Sequence, residues 1–196
     1  RAADRTPGEV AHVVELCLAE LAAQHAHTAA VVANRCAPDE LADVATALQR
    51  FTPKSYVLPE EPLLAAPTVA ELRDAVGGTL ISGDEELLTR EVMGMMVAGM
   101  TAEHCLERLR ESMAVITPGD RSDVVLAIAS AHAAEGFPSI SCLILNGGLP
   151  LHPSIAKLVA GLGLRLPIVA TELGTYDTAR AASTAKGRVT ATSLRK

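Results

Sequence analysis

Aromatic side chains are nearly missing from this sequence, which holds two Phe, two Tyr and no Trp. Its core must therefore be aliphatic, and Ala, Val and Leu dominate a chain that is 49% hydrophobic. Such a core suits sheets covered by helices on both faces and argues against a β-sandwich. Basic runs are also missing and the formal charge is -6, so no nucleic-acid partner is expected. No stretch approaches the roughly 18 uninterrupted apolar residues of a membrane span, and the start, RAAD, has no signal-peptide hydrophobic region. A membrane partner is not expected either. The four cysteines, Cys17, Cys36, Cys105 and Cys142, never form C-x-x-C, and three lie in apolar stretches where a free thiol packs as a small hydrophobe. That usage fits the cytoplasm. The chain has no initiator Met and reads as a piece of a longer polypeptide.

The usual signatures of chemistry are absent as well. None of Lys54, Lys157, Lys186 and Lys196 follows the glycine run of a phosphate loop. Neither G-x-S-x-G nor H-E-x-x-H occurs, and nothing places an activating His near Cys142. His25 and His27 lie at a helix end and are not expected to hold a metal. Met93, Met95, Met96 and Met100 stand in strand-like surroundings, which makes them core or contact surface rather than soft ligands. No catalytic residue, metal or cofactor is assigned to this segment.

What is present is an alternation of helices and strands. Thr6-Pro-Gly-Glu9 is a capping box with Pro at the first helical position, and Val10, Val13, Val14, Cys17, Leu18 and Leu21 follow at helical spacing. A strand over 28–34, a helix opened by Pro38 with Leu41, Val44, Leu48 and Phe51 inward, and a short strand over 55–58 come next. Pro59, Pro62 and Pro67 then mark a linker without regular helix. Thr68 opens a second capping box with Glu71, the helix ends at Gly77-Gly78, and 79–82 and 90–98 are extended. Helices at 101–110, 120–134, 153–161 and 177–183 alternate with strands at 113–117, 139–145 and 167–170. This is the pattern of an α/β fold with a mostly parallel sheet and helices on both faces.

Two loops carry the candidate site. In VITPGDRSD, 115–123, a buried strand turns through Pro118-Gly119 into a helix start, with Asp120 as N-cap. Backbone N–H groups at such a turn, with Arg121 beside them, favour an anion. In LNGGLP, 145–150, Gly147 and Gly148 permit positive φ or close approach. In a parallel sheet both loops share the C-terminal edge, where open sheets bind ligands, above all at a reversal of strand order. The loop over 171–175 joins them there. The candidate ligand-binding residues are Thr117, Gly119, Asp120, Arg121, Asn146, Gly147 and Gly148; the competing reading takes them as ordinary strand-to-helix turns.

Asp120-Arg121 after one strand and Asn146-Gly147-Gly148 after the next resemble the DR and TGG motifs of the DRTGG domain, with Asn146 where that family usually has Thr. Together with VANR at 32–35, VLPEEPLLAAPT at 57–68 and ITPGDR at 116–121, the chain is similar to the N-terminal region of the long bacterial phosphate acetyltransferases. The resemblance implies three parts. Residues 1–66 would be the C-terminal part of a degenerate dethiobiotin-synthetase-like domain, a partial P-loop-like α/β unit, with its linker. Residues 67–185 would be the DRTGG domain, and 186–196 the connection to a missing catalytic domain. It also implies a cytoplasmic parent acyltransferase of acetate metabolism, converting acetyl-CoA and phosphate to acetyl phosphate and CoA. This segment would be inactive alone. Its role would be oligomerisation, into a hexamer with the catalytic domain of the same chain, and allosteric regulation by an anionic metabolite such as NADH, ATP, pyruvate or phosphoenolpyruvate. The alternatives are a nucleotide- or metabolite-sensing DRTGG module of another enzyme, as in some pyrophosphatases, and an enzyme of the dethiobiotin synthetase type.

Overall fold

The computed structural model describes residues 2, 4–51 and 54–187. The chain forms two compact units, Arg1–Glu61 and Pro62–Lys196. The first holds helix α1 (Pro7–Ala23), strand β1 (Val31–Cys36), helix α2 (Leu41–Leu48) and strand β2 (Ser55–Pro59). Strands β1 and β2 are parallel, with Val31 opposite Ser55 and Ala33 opposite Val57. The Thr6 capping box closes in both directions, Thr6 N–H donating to Glu9 Oε2 at 2.8 Å and Glu9 N–H to Thr6 Oγ1 at 3.4 Å. Val10, Ala33, Cys36, Val44 and Leu48 make the core. Of the residues expected inward on α1, Val10 is buried and Leu21 is exposed. Helix α1 packs on α2, and 17 residues outrun a partner of 8, so its second half overhangs.

The second unit runs α3 (Pro62–Ala65), α4 (Val69–Ala75), β3 (Thr79–Ser82), a 3-10 turn (Glu85–Thr89), β4 (Gly94–Val97), α5 (Ala102–Leu106), β5 (Met113–Pro118), α6 (Ser122–Ala133), β6 (Cys142–Asn146), α7 (Pro153–Gly161), β7 (Ile168–Ala170) and α8 (Thr175–Thr184). The single turn α3 stands where the prolines predicted no helix. Pro62 occupies its first position, where a missing N–H has no intrahelical role. Helix α5 is half the length expected, and Thr101 makes no side-chain cap bond to it.

Five strands form one sheet in the order β3-β7-β6-β5-β4, with β4 to β7 mutually parallel and β3 antiparallel on the edge. Period-2 alternation sorts the strand residues onto two faces. Val115, Leu143, Leu145 and Ile168 pack with Cys105, Val124, Val125, Ile128 and Val159, so α5, α6 and α7 cover one face. Ala114, Ile116, Cys142, Ile144 and Val169 pack with Val69, Leu72, Val76 and Ala182, so α4 and α8 cover the other. The α/β fold with a mostly parallel sheet and helices on both faces is thus present. The parallel strands follow one another without a reversal of order, so the crevice that a strand-order switch would open between them does not exist. No helix among the described residues is long and apolar enough to cross a membrane.

Candidate functional site

Parallel register places the ends of β5, β6 and β7, and hence the loops at 119–121, 147–150 and 171–174, on one edge of the sheet. Thr117 and Asn146 are buried in the last turns of their strands. With its amide turned so that both ends are satisfied, Asn146 donates to the Thr117 carbonyl at 2.9 Å and accepts from Thr175 N–H and Oγ1, each at 2.8 Å. One side chain thereby ties β5, β6 and the start of α8 together. The Thr117 hydroxyl is buried without a hydrogen-bond partner among the described residues.

The glycines hold the loops in contact. Gly119 N–H donates to the Asn146 carbonyl at 3.3 Å, and a Cβ on Gly119 would overlap the Leu149 carbonyl oxygen. Gly147 and Gly148 have φ of 86° and 64°, which favours glycine. Their N–H groups do not face outward. Gly147 donates to Leu173 O at 2.7 Å and Gly148 to Thr171 O at 3.1 Å, fastening this loop to the loop after β7. Thr171 in turn donates from Oγ1 to Val76 O at 2.6 Å.

Charge at the helix start is arranged differently from the expectation. Asp120 is exposed and is not the N-cap of α6; Arg121 takes that position, because Arg121 N–H closes a turn onto Pro118 O at 3.1 Å first. The Arg121 guanidinium grips Asp123 through Nε at 3.0 Å and through NH2 at 2.9 Å, and NH2 also reaches Met100 O at 3.0 Å. Hydrogen bonding from Arg121, supported by the backbone N–H groups of Val124 and Asp123, holds the Asp123 carboxyl below its ordinary range. The same bond raises Arg121. The carboxylate of Asp123 therefore sits where the sequence suggested an external anion. The NH1 amino group of Arg121 keeps no partner among the described residues.

A cavity of about 200 Å³ opens on the other side of the β6 loop, lined by Gly148, Leu149, Thr171 and Glu172 together with Gly77 and Thr79 at the start of β3. Of the seven candidate residues, Gly148 lines it and Arg121 does not. The sequence did not single out Thr79 or Gly77 for this edge, since only the antiparallel insertion of β3 beside β7 brings them there.

The DRTGG domain family matches residues 71–185. The chain is 33% identical over 135 residues to a phosphate acetyltransferase of Nitratidesulfovibrio vulgaris, covering 68% of this chain and 19% of that protein. A phosphate acetyltransferase of Synechocystis is 31% identical over 153 residues, covering 76% and 22%. The chain thus spans about a fifth of the length of these relatives. Among solved structures, the CBS and DRTGG domains of the regulatory region of Clostridium perfringens pyrophosphatase, complexed with the activator diadenosine tetraphosphate, superpose with a TM-score of 0.49 at 20% identity, over 61% of this chain and 47% of that one.

Proposed function

Because the chain belongs to the DRTGG domain family, we propose that it is a non-catalytic regulatory and assembly segment of a phosphate acetyltransferase. One observation carries this reading: a relative of that name matches 76% of the chain, more than the second unit alone can supply and well beyond the DRTGG match. Under it, residues 1–66 are the tail of a dethiobiotin-synthetase-like domain, and 67–185 the regulatory domain. The proposed connection at 186–196 lies largely outside the described residues. The parent turns acetyl-CoA and phosphate into acetyl phosphate and CoA in the cytoplasm, and the reacting groups belong to a catalytic domain elsewhere in it. A coupled assay on the purified chain should show no acetyl transfer. Turnover by the chain alone would overturn the reading.

Regulation is proposed at the rim formed by Thr117, Gly119, Asp120, Arg121, Asn146, Gly147 and Gly148. An anionic metabolite would bind by taking the place of the Asp123 carboxylate on Arg121 and on the first N–H groups of α6. Arg121→Ala should then weaken binding of phosphoenolpyruvate or NADH by about one to two orders of magnitude, and Asp123→Asn should strengthen it. Calorimetric titration separates this from a purely structural turn, for which both variants would bind alike.

Assembly is proposed through β4. It is an edge strand, residues 92–100 carry no charge, and Met93, Met95 and Val97 are exposed along one side. Charges and prolines that usually protect an open edge from pairing are missing there.

A further inference from the structure

On the sheet face covered by α5, α6 and α7, a groove runs beside α7 along β7 and the edge strand β3. Its floor follows from register. Ile168 stands opposite Ser82 and Ala170 opposite Thr79. Ile168 belongs to the cluster that holds Val159 of α7, and Ala170, two residues on, lies on the same face. On α7, Ala156 and Ala160 are one turn apart and exposed, flanking the buried Val159. Two such short side chains leave space between the helix and the outer strand. A cavity of about 470 Å³ lies there, with Ile81, Ile168, Ala156, Val159 and Ala160 in its walls.

The groove has two chemically different ends. The cavity of about 200 Å³ at Thr79 and Glu172 shares Pro150 and Ala170 with the larger one, so the two adjoin. Glu172 is the one charged residue lining either of them. Its carboxylate folds back over the β6 loop, with Oε2 where a Cβ on Gly148 would stand. It makes no ion pair among the described residues. At the other end Ile81 is left 48% exposed. From Thr79 to Ser82 the strand rises about 10 Å, which sets the distance between the negative end and the apolar one.

We propose that this groove binds a small organic cation, a primary amine at Glu172 carrying an apolar body between α7 and β3. The larger cavity falls within the size of small-molecule sites, roughly 300–1,000 Å³, and has their mainly apolar lining with few polar groups. A carboxylate ligand of the same shape would meet Glu172 as a like charge, and a ligand without an apolar body would leave the larger cavity to water. The ligand is thus opposite in charge to the one proposed for the Arg121 rim, and Arg121 lines neither cavity.

The test is calorimetric titration of the whole chain with 4-phenylbutylamine, with 4-phenylbutanoate and butylamine as controls. The aromatic amine should bind saturably, and both controls more weakly. Glu172→Gln should lower its affinity about three- to tenfold, as for an ion pair open to solvent, and remove the preference for amine over carboxylate. Ala160→Leu should abolish binding with the melting temperature unchanged, because the position is exposed and Leu is a good helix former. Should that variant lose its cooperative melt, Ala156→Leu narrows the same wall. Arg121→Ala should bind the amine as the unaltered chain does. Equal binding of 4-phenylbutylamine and 4-phenylbutanoate, or undiminished binding in the leucine variants, would overturn the proposal. So would a dimer in light scattering that Ala160→Leu dissociates, because a second copy would then fill the groove.

Discussion

Arg121 and Asp123 govern what the C-terminal rim can bind, and their coupling has a pH signature. The folded Asp123 pKa is depressed, so the pair contributes to stability above the unfolded aspartate value, roughly 3.9, and that contribution is lost as pH falls through the folded value. A carboxyl-carbon NMR titration should place Asp123 below that value, and Arg121→Ala should return it towards normal. Glycine chemistry on the same rim is unequal. Gly119→Ala meets the Leu149 backbone, which cannot step aside, and should destabilise by roughly 1–3 kcal/mol or more. At Gly148 the added Cβ meets the movable end of the Glu172 side chain, and the cost is chiefly the left-handed backbone, about 1–2 kcal/mol. Thermal melts of the two variants check the order, and a larger loss at Gly148 would contradict it. Among the thiols, burial pushes Cys142 up to about 12, whereas Cys17 is exposed. Alkylation of the native chain at mildly alkaline pH should modify Cys17 and spare Cys142.

At the scale of elements, β4 has no strand on its outer side among the described residues, in a sheet whose central strands are covered on both faces. Its outer N–H and C=O groups lie beside an uncharged run, so a second copy can add its own edge there. Met95→Lys should shift the chain toward monomer in light scattering at high micromolar concentration. Unchanged mass in that variant would place any self-association elsewhere. The same variant should keep its fold, because Met95 is exposed.

For the whole molecule, the two compact units have separate cores, one of Val10, Ala33, Cys36, Val44 and Leu48 and one split between the faces of the five-stranded sheet. Each face of that sheet buries aliphatic residues from at least two helices, so residues 62–187 should fold alone with a cooperative melt. Circular dichroism of that piece is the check. A non-cooperative transition would show that the first unit supplies part of its stability.

Local chemistry was readable from residue types alone. Thr6 with Glu9 and Thr68 with Glu71 both close as capping boxes because the partners lie three residues apart, a spacing that needs no tertiary context. The strands expected at 113–117 and 139–145 could be recognised as buried, because the apolar runs 113–116 and 142–145 leave no side for water. Parallel pairing then followed, and with it the three loops on one edge. The sequence could not show that Arg121 would close on Asp123 rather than face outward, since both outcomes use the same residues at the same spacing. Nor could it show that the Gly147 and Gly148 N–H groups would be taken by the loop after β7, or that β3 would enter antiparallel beside β7. Those are decisions between groups tens of residues apart, made when the packed sheet brings their donors and acceptors within hydrogen-bond reach.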